Sequence, residues 1–234
     1  MNRPQDATVA QPLEVLIGGS QSHDRRPVHT LFCVGKNYAD HAREMGSEPS
    51  RGEPVIFLKP AVSLRCGPEL EFSLPAWSNE VHHEVELVAL LRSGFDPQSP
   101  LSSVEAYGVG LDLTLRDLQS RAKASGSPWT AAKGFPNAAL LSILKPSGGI
   151  RPEELELELT IDGDRRQHGL TSQMLHDLPS IIRHLGERYG LLGGEVIYTG
   201  TPAGVGPLKS GNRLNASLRS PAGAPIAELS VTVR

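Results

Sequence analysis

Glycine and proline cut this chain into short pieces. Its 234 residues include 24 Gly and 19 Pro, and these fall in nearly every interval between apolar segments. Proline removes a backbone donor and interrupts helices, while glycine supplies the conformations that tight turns need. The chain is therefore expected to build many short strands that turn back on one another. Strand candidates are Leu31 to Val34, Val55 to Leu58, Leu70 to Leu74, Val85 to Leu91 and Glu195 to Thr199, with two more between Leu214 and Val233. Val104 to Leu113 is apolar enough to enter a sheet core, and Leu155 to Ile161 alternates Leu with polar residues before Asp162-Gly163, a hairpin signal.

Helical segments are few. Asn37 to Met45 reads as a helix too short to stand alone, so something it packs against or binds must hold it. Thr114 to Lys123 has helical character. Ser172 to Tyr189 carries apolar residues at helical spacing, with Thr171 as its expected cap and Pro179 interrupting its continuity. The fold class is a mixed β-rich α/β architecture in place of a helical bundle. Residues 1 to 30, with Pro4, Pro12, Pro27 and a Gly18-Gly19 turn, read as a leader with short strands ahead of a principal domain from 31 to 234.

Charge excludes some function classes. Lys and Arg number 23 against 26 Asp and Glu, a formal net charge of -3, and no concentrated basic and aromatic track is present. Neither nucleic acid nor an anionic membrane is an expected partner, although a few local cations suffice for a small anionic substrate. The N-terminus MNRPQDATVA has no continuous hydrophobic segment, and the expected location is cytoplasmic. Two cysteines, Cys33 and Cys66, give no disulfide scaffold and no thiolate metal cluster.

The segment VHHEVELVAL, residues 81 to 90, holds the main chemical signal. In a strand, a period of two puts His82, Glu84 and Glu86 on one face and His83, Val85 and Leu87 on the other. Two desolvated carboxylates one repeat apart repel each other, and a divalent cation removes the conflict. The competing reading is an edge strand with both glutamates in water. Asp112, near the end of the apolar stretch in GVGLDLTLRDLQ, supplies a third carboxylate. Glu84, Glu86 and Asp112 with water suit a hard ion, Mg2+ or Mn2+, while His82 keeps zinc open. Asp117, next to Arg116 on a helix, is read as a local ion-pair or surface residue.

Further candidates surround that set. His41 and Glu44 in YADHAREM are three residues apart on one helix face and can work as an acid-base pair, although surface His-Glu pairs are common. Lys133 in WTAAKGFPN can polarise a carbonyl or stabilise an enolate, or lie solvated in a loop. Gln119 offers an amide donor, and Thr199-Gly200-Thr201-Pro202 offers hydroxyl and backbone donors; GTPAGVG lacks the Walker pattern.

Taken in order, VGKNYADHAREMG, EPVIFLKP, VHHEVEL, GVGLDLTLRDLQ, PWTAAKGF and YTGTPAGVGPLKSGN resemble the fumarylacetoacetate hydrolase superfamily, particularly its small acylpyruvase and oxaloacetate decarboxylase branch. The resemblance runs from about Leu31 to Val233. It implies a β-sandwich or β-roll with peripheral helices, usually a homodimer. It also implies metal ligands Glu84, Glu86 and Asp112, an acid-base pair His41 and Glu44 on a movable segment, an active-site Lys133, Gln119 near the reacting oxygen, and Thr201 at the substrate.

The implied activity is hydrolysis of acylpyruvates by C-C cleavage, with oxaloacetate decarboxylation related to it and a small anionic 2-oxo acid as substrate. The alternatives are a fumarylpyruvate or fumarylacetoacetate hydrolase, an isomerase or decarboxylase of 2-hydroxyhepta-2,4-diene-1,7-dioate-type intermediates, and a noncatalytic small-acid binding protein. One departure concerns the last. Where many relatives carry Asp and then Ser or Thr after the lysine and phenylalanine, this chain has Gly134-Phe135-Pro136-Asn137-Ala138. Pro136 lacks an N-H and Ala138 lacks a hydroxyl, so the support of Lys133 is expected to differ.

Overall fold

The computed structural model describes residues 14–18 and 23–234. Of the expected leader, Pro4, Pro12 and Gly19 lie outside the described residues; Glu14–Gly18 and His23–Pro27 form an antiparallel pair.

The fold is β-rich with peripheral helices. Its centre is a mixed eight-stranded sheet in which Thr30–Gly35, Glu195–Tyr198, Val85–Leu91 and Val104–Asp112 are consecutive neighbours, with Val55–Lys59 on one edge. A five-stranded sheet packs on one face, built from Glu156–Ile161, Asp164–Leu170, Arg213–Arg219, Pro225–Val233 and Glu69–Phe72. Between the layers, Leu87, Ala89, Val109 and Leu111 meet Leu157, Leu159, Leu218 and Leu229 in one buried cluster. The intervening positions Val88, Leu90 and Ala106 face the other side, with Val15, Leu31, Cys33 and Tyr198. Strand alternation thus gives the central strands two buried faces, as their nearly continuous apolar sequences require.

The Asp162-Gly163 hairpin forms as expected, with both residues at positive φ (54° and 90°), the geometry of a tight two-residue turn. The helix expected from Ser172 is shorter. Thr171–Gln173 is a single tight turn, and the long helix runs Leu178–Tyr189. Pro179 occupies its first turn, where a missing N-H costs nothing, and Asp177, not Thr171, caps it by accepting from Ser180 N at 2.9 Å. Thr171 instead exchanges hydrogen bonds with the Leu155 backbone. Among the described residues no helix is long and apolar enough to cross a membrane.

Candidate active site

Two of the three acidic candidates, Glu86 and Asp112, come from adjacent central strands, and Glu84 from the break just before the first of them. Glu86 lies in Val85–Leu91, directly across from Gly110 in the register with Val104–Asp112. Asp112 N donates to Glu84 O at 2.9 Å, which pins the third carboxylate beside the first. Gly110 is needed here, since a Cβ would sit 2.6 Å from the Tyr198 ring and 2.7 Å from Val88. All three side chains are buried, and one oxygen of each lies within 4.8 Å of the others.

Three buried cations answer the three carboxylates. Lys133 Nζ donates to Glu84 Oε2 (2.7 Å) and Asp112 Oδ2 (2.6 Å). Arg116 Nη2 donates to Glu84 Oε1 at 2.5 Å. Lys59, fully buried on the edge strand, donates to the carbonyls of Leu113 and Lys133. Its Nζ also lies 2.7 Å from Asp112 Oδ1, as a charge contact outside hydrogen-bond geometry. Glu86 is the exception: its polar contact is the backbone N-H of Gly200 at 2.7 Å, and among the described residues no cation pairs with it.

The acidities follow. Burial raises the Glu84 carboxyl, but Lys133 and Arg116 outweigh it and hold the group below the usual carboxylate range. Burial and then the charges of Asp112 and Glu84 push Glu86 well above that range. Burial works against the Lys133 ammonium, yet Asp112 and Glu84 overcome it and raise its pKa.

His41 and Glu44 lie on a six-residue helix, Ala39–Glu44. Two polar anchors compensate for its shortness. Asn37, fully buried, donates to Thr199 O (2.7 Å) and His176 O (2.9 Å) and accepts from His176 N (2.8 Å). Glu44 accepts from Gly204 N with both oxygens, at 3.1 and 3.2 Å, and from the other direction meets His41 Nδ1 at 3.3 Å. Burial lowers the His41 pKa against the opposing pull of Glu84 and Glu44, so the ring is neutral at pH 7.

The remaining candidates converge on the same cleft, lined by His41, Glu84, Glu86, Asp112, Gln119, Lys133 and Thr201 among others. Gln119 Oε1 accepts from Arg116 Nη1 at 2.6 Å, which leaves its amide N-H groups for another partner. Thr201 Oγ1 donates to Val85 O at 2.8 Å, linking the Thr199 to Pro202 loop to the strand that carries the glutamates.

Residues 30–234 match the family described as fumarylacetoacetate (FAA) hydrolase C-terminal. The chain belongs to the fumarylacetoacetate hydrolase family. It is 40% identical over 196 residues to an oxaloacetate tautomerase of Escherichia coli (strain K12), covering 82% of this chain and 89% of that one. It is 43% identical over 193 residues to a mitochondrial oxaloacetate tautomerase of Arabidopsis thaliana, covering 80% and 85%. The crystal structure of fumarylpyruvate hydrolase from Pseudomonas aeruginosa, in complex with Mn2+ and pyruvate, superimposes with a TM-score of 0.87 at 35% identity over 95% of each chain.

The acidic set fits the metal that this family membership implies. Glu86 is a buried carboxylate with no cation of its own among the described residues, flanked by two further carboxylates within ligand distance, an arrangement that a hard divalent ion relieves. As a fumarylacetoacetate hydrolase family member with this triad, the chain is a divalent-metal-dependent enzyme. His82 lies outside the triad, engaged with Glu80 at 2.9 Å and Arg116 Nε at 3.3 Å. The continuous strand expected over Val81 to Leu90 is interrupted there: strand pairing breaks at Glu84, between Val81–His83 and Val85–Leu91.

Three residues carry more than their sequence context indicated. Arg116 does not pair with Asp117, which accepts instead from Ser78 Oγ and the amides of Asn79 and Leu118. Arg116 turns inward because Glu84 is a desolvated anion within reach. Lys59 was visible only as part of EPVIFLKP; nothing local marks it as buried against Asp112. Gln167 fills the break at Glu84. Its Oε1 accepts from Val85 N and His83 Nδ1, both at 3.0 Å, while Nε2 donates to Thr201 Oγ1 and Pro202 O, both at 2.8 Å. At the departure from the family pattern, Ala138 is fully buried, and its backbone accepts from Leu113 N at 2.8 Å and donates to Phe135 O at 3.1 Å. Lys133 keeps its two carboxylate bonds without a hydroxyl at 138.

Proposed function

We propose that this enzyme acts on small 2-oxo acids, hydrolysing acylpyruvates at a C-C bond and decarboxylating oxaloacetate, with Mg2+ or Mn2+ held by Glu84, Glu86 and Asp112. The observation that carries the reading is the buried triad with a neutral His41 lining the same cleft. When bound, the ion supplies chelation of the 2-oxo carboxylate end and Lewis-acid polarisation of its carbonyl. The P. aeruginosa relative, solved with Mn2+ and pyruvate, supports a ligand of this class.

The chain's own groups then divide the work. Gln119 presents its amide N-H groups, and Lys133 its positive charge, to the oxygen on which negative charge develops. His41, neutral and braced by Glu44, takes a proton from water that attacks the distal C4 carbonyl of an acylpyruvate; the C3-C4 bond then breaks, releasing the acyl group as a carboxylic acid and pyruvate as its enolate, which takes a proton at C3. In oxaloacetate decarboxylation the C3-C4 electron pair forms the enolate, with its charge on the C2 oxygen, as carbon dioxide leaves, and the His41-Glu44 pair relays a proton from solvent to C3 to give pyruvate. Thr201 borders the substrate, its orientation fixed by Val85 O and Gln167.

A second reading, keto-enol tautomerisation of oxaloacetate, is favoured by the His41-Glu44 pair. Moving a proton between C3 and the carbonyl oxygen needs a neutral base and no attacking water, and two relatives bear that activity in their names. The test measures pyruvate, carbon dioxide and enol separately from fresh oxaloacetate and from acetylpyruvate, against free-metal controls. Pyruvate from acetylpyruvate above those controls is expected. Enol interconversion alone, with no bond cleaved in either acid, replaces the first reading with the second.

A further inference from the structure

The backbone of Val85 lies between two glutamates of the acidic set, so its placement governs theirs. On one side of it the sheet stops supplying partners. The pairing of Val85–Leu91 with Glu195–Tyr198 ends at Val88 and Tyr198, and beyond that point the Thr199 to Pro202 loop takes the strand's place. On the other side Asp112 N donates to the Glu84 carbonyl at 2.9 Å. The N-H of that same peptide, Val85 N, donates to a side chain, Gln167 Oε1, at 3.0 Å, and Val85 O accepts from Thr201 Oγ1 at 2.8 Å. Buried backbone groups that lose their strand partners need replacements, and here two side chains serve.

Gln167 stands in the second sheet, on Asp164–Leu170. The pairing of that strand with Glu156–Ile161 slips between Leu159 and Thr160: Leu159 lies opposite Gln167 and Thr160 opposite Arg165, so Arg166 is an extra residue. Asp164, Arg165 and Arg166 are exposed, and Gln167 is the first side chain to turn inward, at 1% exposure. The backbone fixes both ends of its amide. Val85 N can only donate and Pro202 O can only accept, so the oxygen faces the first and the nitrogen the second. The remaining lone pair takes His83 Nδ1-H at 3.0 Å, and the remaining N-H goes to Thr201 Oγ1 at 2.8 Å. Thr201 therefore accepts from the amide and commits its own hydrogen to Val85 O. The loop lies tight against this strand, since a Cβ at Gly169 would fall 2.6 Å from that of Pro202. Leu157 and Leu159 show that apolar side chains can close this layer. A buried amide costs desolvation, and what it adds when fully bonded is direction.

We propose that Gln167 is a positioning residue for the metal centre. From outside the cleft its one amide fixes the backbone between Glu84 and Glu86 and, through Thr201 and Pro202, seats the loop whose Gly200 N-H holds Glu86. The inference rests on the ligand set proposed above and adds the device that keeps two of its members at an ion's spacing across a break in strand pairing.

The test is Mn2+ titration calorimetry on Gln167→Met, which keeps the length and removes the hydrogen bonds, beside Asp112→Ala and Ile182→Ala. Gln167→Met is expected to weaken Mn2+ roughly 10- to 100-fold, the range for residues that orient metal ligands, and raising Mn2+ should recover most of the lost turnover. Ile182→Ala, a buried change in the long helix, should lower stability and leave Mn2+ affinity within about twofold, which separates positioning from general loosening. Unchanged affinity in Gln167→Met overturns the proposal, and so does a loss that Ile182→Ala matches. If Asp112→Ala also binds as wild type does, the ligand set fails too; if Asp112→Ala loses the metal and Gln167→Met keeps it, the positioning role alone fails. Wild type decides the matter should Gln167→Met not fold. In protein carrying 15N-labelled Gln and Val, saturating Mg2+ is expected to shift the Val85 N-H and both Gln167 side-chain N-H resonances; if all three stay in place, the proposal is overturned.

Discussion

The acidic triad and the His41-Glu44 pair line one cleft but are built in opposite ways. Glu86 and Asp112 stand on neighbouring central strands with both faces buried, and Glu84 is pinned beside Asp112 by a backbone hydrogen bond. The pair stands on six residues of helix anchored by one buried asparagine and one loop amide, with the Glu44 side chain 33% exposed. Strands packed on two sides hold charges at fixed spacing, which an ion demands. A helix too short to persist alone depends on what surrounds it, which suits the proton-transfer role proposed for the pair. The two regions should therefore fail independently.

Removing a ligand and removing the brace give the sharpest contrast. Asp112→Ala is expected to lose metal affinity beyond the roughly 10- to 100-fold that outer-shell losses cost. Glu44→Ala should cut turnover about a hundredfold or more with metal affinity little changed. Titration calorimetry with Mn2+ and a steady-state assay read both; if Glu44→Ala weakens metal as much as Asp112→Ala does, the two regions are one unit.

Lys59→Met tests the rigid side. It leaves Asp112 without one of its cations in a buried setting, and about 3–5 kcal/mol of stability should go, read by denaturant unfolding. Asn37→Ala tests the other side. Loss of its three hydrogen bonds should cost about 1–3 kcal/mol and speed amide exchange in residues 39–44 while protection of 85–91 persists. Equal loosening of both segments would contradict the division.

The smallest effect is in pH. Glu86, raised by burial and its acidic neighbours, keeps its proton in the folded metal-free protein above the unfolded value of 4.5. That contribution to stability is complete below the unfolded value and is lost as pH rises through the folded one, by at most about 1.4 kcal/mol per pH unit. Metal must displace the proton, so affinity should rise with pH over that window and then level. Calorimetry in two buffers of different protonation enthalpy counts the proton released; a count of zero across the window removes Glu86 from the ligand set.

Much of this site is local in origin and so was legible. Period-two spacing placed Glu84 and Glu86 together, and helical spacing placed His41 against Glu44. Asp162-Gly163 was readable because a tight turn depends on two residues' own φ. The start of the long helix was misplaced because Pro179 is an interruption in an interior and acceptable in a first turn, and which of these applies depends on Asp177 capping two residues earlier.

By itself the sequence determined the short-strand architecture, the Glu84-Glu86 spacing and the contact of His41 with Glu44, since each follows from alternation, turn preference or spacing within one element. Only the tertiary structure decided the charge partners. Arg116 could pair with its neighbour Asp117 or reach Glu84, and it chose Glu84 because burial makes an unpaired anion far more costly than an exposed one. Lys59 and Asp112 are 53 positions apart by their numbers, and Gln167 is farther still from the strand break it fills. No spacing rule links such residues; desolvation does, once the sheets close over them.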